Sequence, residues 1–145
     1  MLNPGIYSLG DQVITTAVAG LVLTPVVDLD GLTAVTLQVR FAPVSSGTTC
    51  KAWVQTSLDQ GQTWADIFCA AFTTTAGFKI VNLSGLTPRT TVLAPTDATL
   101  ADDTAVDGVL GDRLRLKITS PGTFGSGSVI SARVACRSPR SASSH

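Results

Sequence analysis

The chain contains no glutamate: all ten of its acidic residues are aspartate, and only Lys51, Lys79 and Lys117 are lysines. Glu and Lys are strong helix formers, whereas Asp competes with the backbone and prefers turns and caps. No window carries a 3.6-residue apolar stripe either, so a helical domain is excluded. Charged residues make up 14% of the 145, against a usual value of about 25%. With zero formal net charge nothing draws the surface toward a phosphate backbone, and nucleic acid is not expected as a partner. His145 is the one histidine, so a Ser-His-Asp or Cys-His arrangement or a histidine-built metal site would have to rest on it. Cys50, Cys69 and Cys136 fit no zinc spacing, and their odd number argues against a disulfide framework. They are expected as small buried hydrophobes. The most apolar stretch, 13–27, is broken by Thr15, Thr16, Gly20, Thr24 and Pro25, and no membrane span is expected. The start, Met1-Leu2-Asn3-Pro4-Gly5, lacks a positive region followed by an apolar run, which predicts synthesis without a signal peptide.

What is present is the vocabulary of β-structure. Period-2 alternation runs through 33–42, 50–57, 113–119 and 129–136, with Val35, Leu37, Val39 and Phe41 as the clearest set. Weaker strands are expected over 12–18, 24–29, 64–71, 78–83 and 90–93. Turn pairs punctuate them at Asp30-Gly31, Ser46-Gly47, Ser84-Gly85, Asp107-Gly108 and Pro121-Gly122. About eight or nine short strands in one domain predict an all-β, antiparallel β-sandwich, jelly-roll-like or immunoglobulin-like, over residues 1–136. Residues 137–145, rich in Ser with Arg137 and Arg140, have the composition of a polar C-terminal tail.

Residues 95–112 hold five of the ten aspartates and read as a long loop. Asp102 with Asp103, or Asp107 with Asp112, could form a carboxylate pair or contribute oxygens to calcium, but no D-x-D-x-D-G spacing is present. Turn formation is the simpler use of such residues. Gly122, Gly125 and Gly127 belong to a Pro/Ser/Gly turn and make no phosphate loop. Arg113, Arg115 and Lys117 form a basic stripe on one strand face, expected to be solvated or paired with aspartates of a neighbour. Trp53, Trp64, Phe68, Phe72 and Phe78 are candidates for a sugar platform, although core or interface packing is the reading preferred. Trp53 and Phe68 are expected on one face across a hairpin.

One local motif is specific. Ser57, Asp59, Gly61, Thr63 and Trp64 fit the pattern S-x-D-x-G-x-T-W. The pattern resembles the Asp-box, a β-hairpin turn of sialidases and many unrelated β proteins. Asp59 can accept hydrogen bonds from turn amides, Gly61 can take a positive φ, and Trp64 can pack beneath the hairpin. The sialidase chemistry does not carry over, because that family needs an arginine cluster, a tyrosine nucleophile and a glutamate. Tyr7 is the single tyrosine, and glutamate is absent.

The wider stretch Ala52-Trp53-Val54-Gln55-Thr56-Ser57-Leu58-Asp59 through Trp64-Ala65-Asp66-Ile67 is similar to small virion proteins of tailed phages and prophages. The low charge and the Thr/Ala/Gly/Val richness are similar too. The resemblance implies a virion structural protein without catalytic activity or cofactor. Its expected role is a decoration or cement protein that binds the major capsid protein of the assembled head, as a small cyclic oligomer such as a trimer. Trp53, Phe68, Arg137 and Arg140 are the candidate interface residues, and the termini and the 95–112 loop would carry contacts. A neck, tail or fibre role, or a non-catalytic carbohydrate-binding module, are the alternatives.

Overall fold

Alternating side chains become paired strands. The computed structural model describes residues 5–29, 31–43, 49–121 and 128–138. Among these residues the strands are β1 (Gly5–Val13), β2 (Val18–Val22), β3 (Ala34–Ala42), β4 (Cys50–Ser57), β5 (Ala65–Phe72), β6 (Gly77–Ser84), β7 (Thr104–Ala105), β8 (Arg113–Ser120) and β9 (Val129–Arg137). No helix occurs among them.

The strands form two antiparallel sheets. Sheet A has the order β1-β9-β3-β6, and sheet B the order β2-β8-β4-β5-β7. The pairings nest: β1 with β9, β2 with β8, β3 with β6, β4 with β5. A long antiparallel ribbon folded back on itself in this way is the jelly-roll winding. That settles the choice the sequence left open.

The core lies between the sheets. The apolar parity of each strand supplies it: Leu37, Val39 and Phe41 from β3, Leu114, Leu116 and Ile118 from β8, Ile130 and Val134 from β9, all fully buried. Burying each such side chain contributes roughly 1.5–3 kcal/mol. Cys50 and Cys136 belong to this core, and Cys69 is buried on the other face of sheet B. Burial pushes the Cys50 thiol up to about 12 and those of Cys69 and Cys136 to about 11.

Three expected strands are displaced. The strand expected at 12–18 is instead the end of β1, a connection over 14–17 and the first residue of β2. Within 24–29 only an isolated bridge forms, between Val26 and Leu114. Residues 90–93 are irregular, between Pro88 and Pro95, with Val92 almost wholly exposed. The two-residue β7 lies inside the stretch expected to be loop.

Candidate functional site

The turn from β4 to β5 is built by the side chains of the motif. The Ser57 hydroxyl donates to Asp59 Oδ1 (2.9 Å) and accepts from the Gly61 amide (2.8 Å). Asp59 also accepts from the Thr63 amide (2.8 Å) and the Thr63 hydroxyl (2.6 Å). Gly61 has φ 93°, a conformation that favours glycine. Trp64 Nε1 donates to the Gly61 carbonyl (3.1 Å). The Thr63 hydroxyl and amide hold the Asp59 carboxyl at about 2, below its ordinary 3.8.

The hairpin carries one irregularity with a large consequence. Val54 pairs with Phe68, whereas Gln55 pairs with Asp66, so Ile67 is an extra residue in β5. Without that bulge, Trp53 would lie opposite Phe68, as expected. With it, parity shifts by one residue. Phe68 turns into the core, while Trp53 stands on the outer face of sheet B opposite Cys69. Neither is available as a contact residue, since Trp53 is 5% exposed and Phe68 4%.

The outer face of sheet B is covered by residues 95–112, here called the strap. Its anchor is Asp66, 2% exposed. Asp66 accepts from the Gln55 side-chain amide (2.8 Å), the Thr96 hydroxyl (2.8 Å) and the amides of Ala98 (2.9 Å), Thr99 (3.1 Å) and Leu100 (3.1 Å). Beside it, Gln55, fully buried, donates to Asp97 (2.7 Å) and accepts from Arg115 Nε (2.8 Å). Lys117 closes the network on Asp97 at 2.8 Å and depresses that carboxyl. The Arg115 guanidinium lies 4.1 Å from the Trp64 ring centroid, which joins the network to the hairpin turn. Trp53 Nε1 donates to the Leu100 carbonyl (3.1 Å).

Two members of the basic stripe are thus engaged within the chain, Arg115 on Gln55 and Trp64 and Lys117 on Asp97 of the strap. Four of the strap's five aspartates, Asp97, Asp102, Asp103 and Asp107, are engaged too. Asp102 pairs with Lys51 (2.9 Å) and Asp103 with Lys79 (2.7 Å), while Lys79 also donates to the Ala71 carbonyl. Asp107 accepts from the Ser84 amide (2.7 Å) and the Thr87 hydroxyl (2.9 Å). Where the strap re-enters β8, Gly111 passes so close to β4 that a Cβ would lie 1.8 Å from the Ser57 carbonyl oxygen. The Gly111 amide donates to Thr56 Oγ1 (2.8 Å) there. Asp112 Oδ1 and Arg113 Nε are buried at the same crossing without a hydrogen-bond partner.

Two shallow grooves flank the Lys51–Asp102 pair. One, of about 460 Å³, runs between Phe72, Phe78 and Lys79; the other, of about 550 Å³, runs past Leu100 and the edge of Trp53. Charge in both is cancelled pairwise. Of the five aromatic rings weighed as a sugar platform, Phe72 packs on Phe41 in the core (5.6 Å), Phe68 is core, Trp53 is under the strap and Trp64 is half-buried under Arg115. Phe78 alone of these five is exposed. Among the described residues no three His, Cys, Asp or Glu side chains are grouped to hold a metal ion. Arg137 ends β9 and is exposed; Arg140 lies outside the described residues.

Gln55 and Asp66 were missed by sequence reasoning. The available signal was an aspartate inside the apolar run Ala65-Asp66-Ile67-Phe68, a position where a charge must be paired or hydrogen-bonded. Comparison with protein-family models, with curated proteins and with solved structures finds no match to this chain.

Proposed function

We propose that the protein is a structural component of a tailed-phage virion, a capsid decoration protein that binds and stabilises the assembled head. The observation that carries this reading is the unequal use of polar groups. Polar side chains of the strap and of sheet B brace the molecule internally, while the outer face of sheet A keeps Ile6, Val13, Phe78 and Ile80 at 53–76% exposure. A stiff block with apolar side chains on one open face suits a part that is covered on assembly rather than one that turns over a substrate. Jelly rolls serve as capsid domains, which is compatible with this reading. The partners are then the major capsid protein and sister copies, and the protein is made in the host cytoplasm and carried in the particle. No cofactor has a part in it.

The test is recovery from purified particles, followed by rebinding to heads stripped of accessory proteins. Recovery with heads, and a higher temperature for genome release once the protein is added back, is the expected result. Recovery with tails alone would move the role to the neck, tail or fibre. Absence from both fractions would end the virion reading.

A further inference from the structure

Sheets end in edges, and this molecule treats its edges differently. In sheet B, the β2 edge is five residues long with a register shift between Val18 and Leu21, and the β7 edge is two residues long. In sheet A, the β1 edge is broken by a register shift between Ser8 and Gly10. Short strands and bulges are the usual means of keeping an edge from pairing with another chain. The fourth edge has none of them. β6 pairs with β3 over eight residues, Gly77 to Ser84, without a shift.

The backbone groups left over on β6 can be identified. Gly85 N donates to the Thr33 carbonyl, so residues 85, 83, 81 and 79 turn their backbone groups toward β3. Ser84 faces away, and its amide and carbonyl are taken by Asp107 and by the Gly108 amide. Phe78, Ile80 and Asn82 face away as well, and among the described residues nothing caps them. Their side chains lie on the outer face, with Phe78 61% and Ile80 55% exposed. The single charge on the strand, Lys79, is turned inward onto Asp103.

We infer that β6 is a self-association edge: two copies pair β6 to β6 antiparallel about a two-fold axis at Ile80, joining two four-stranded sheets into one. A second copy fits this edge better than a foreign strand because the edge is complementary to itself. With the axis at Ile80, that residue meets its own copy, Phe78 meets Asn82, and Lys79 meets Val81. No like charges face each other, apolar side chains sit at the centre, and about six N–H···O bonds form. The contact is a property of the free chain and stands or falls separately from the capsid reading.

Sedimentation equilibrium and amide exchange on the full chain test it. The expected species has twice the 14.9 kDa mass of the chain, with the amides of Phe78, Ile80 and Asn82 protected only at concentrations where it forms. Ile80→Lys places like charges together on the axis and is expected to weaken association by about tenfold or more. Ile80→Pro removes an outward donor without removing a bond to β3 and is expected to act alike. Val92→Lys, at an exposed residue of an irregular segment, is expected to leave the mass unchanged. A chain that stays monomeric at the highest soluble concentration overturns the inference. So does an oligomer of any size whose 78, 80 and 82 amides exchange freely, a readout that needs no variant.

Discussion

The outer faces of the two sheets have opposite fates. Sheet B turns Gln55, Arg115, Lys117 and Trp53 outward and then covers them with its own strap, pinned on Asp66. Sheet A turns Thr36, Gln38, Ile80 and Phe78 outward and leaves them uncovered by the described residues of the chain. What separates the two faces is a partner: sheet B has a buried carboxylate that gathers three consecutive backbone amides, and sheet A has none. An irregular segment can cross a protein surface in a fixed path only when its backbone groups are satisfied, and Asp66 does that for 98–100.

The sharpest way to break this contrast is at the crossing of strap and β4. Gly111→Ala forces a Cβ against the Ser57 carbonyl and should cost about 4 kcal/mol, read as a lowered urea midpoint. A midpoint within error of the parent would mean that the strap re-enters β8 by another path. Asp66→Ala comes next, at about 3 kcal/mol, since it leaves the strap amides without their acceptor and removes one of the two bonds donated by the Gln55 side-chain amide. Amide exchange at Ala98, Thr99 and Leu100 should accelerate together, while β3 and β9 stay protected. Uniform acceleration across both sheets would show that the strap is no separate unit.

The hairpin turn offers a gentler comparison, through pH. Asp59 titrates at about 2 in the folded chain against an ordinary 3.8, so it favours folding wherever it is charged in both states. Its stabilisation is complete above 3.8 and is lost as pH falls toward about 2. The gap in Tm between the parent and Asp59→Asn should accordingly be widest near neutral pH and close in acid. A gap that persists at pH 2 would mean that the turn depends on shape rather than on the charge of Asp59. The smallest effect belongs to the bare face, where Ile6→Ala should change stability by no more than about 0.5 kcal/mol.

Legibility in the sequence followed the same division. Strands with one face on the core and strict alternation were readable almost to the residue: the span 50–57 coincides with β4, and 113–119 falls one residue short of β8. β1 was not, because Gly5 and Gly10 interrupt its pattern and its outward Ile6 and Val13 blur the contrast between faces. Thr90 to Leu93 has strand-forming residues but no neighbouring edge to pair with, and propensity yields to context there. The Asp-box turn was legible because every bond in it is local. The Asp66 network was not, because its partners come from residues 55, 96–100 and 115, which only the fold brings together. The bulge at Ile67 was equally hidden, and one unpaired residue was enough to send Phe68 to the face opposite Trp53.

The nested pairing has a temporal side. β9 lies between β1 and β3 in sheet A, although it follows all the other described strands in chain order. Until it has left the ribosome, β1 has no neighbour and the inner edge of β3 is bare. The nascent chain can close its β4–β5 hairpin early, yet sheet A is completed only after translation has passed Arg137. Completion of sheet A therefore waits on β9, and folding is slow by the measure of its sequence separations. In that interval the strand edges that the finished fold hides are open to other chains.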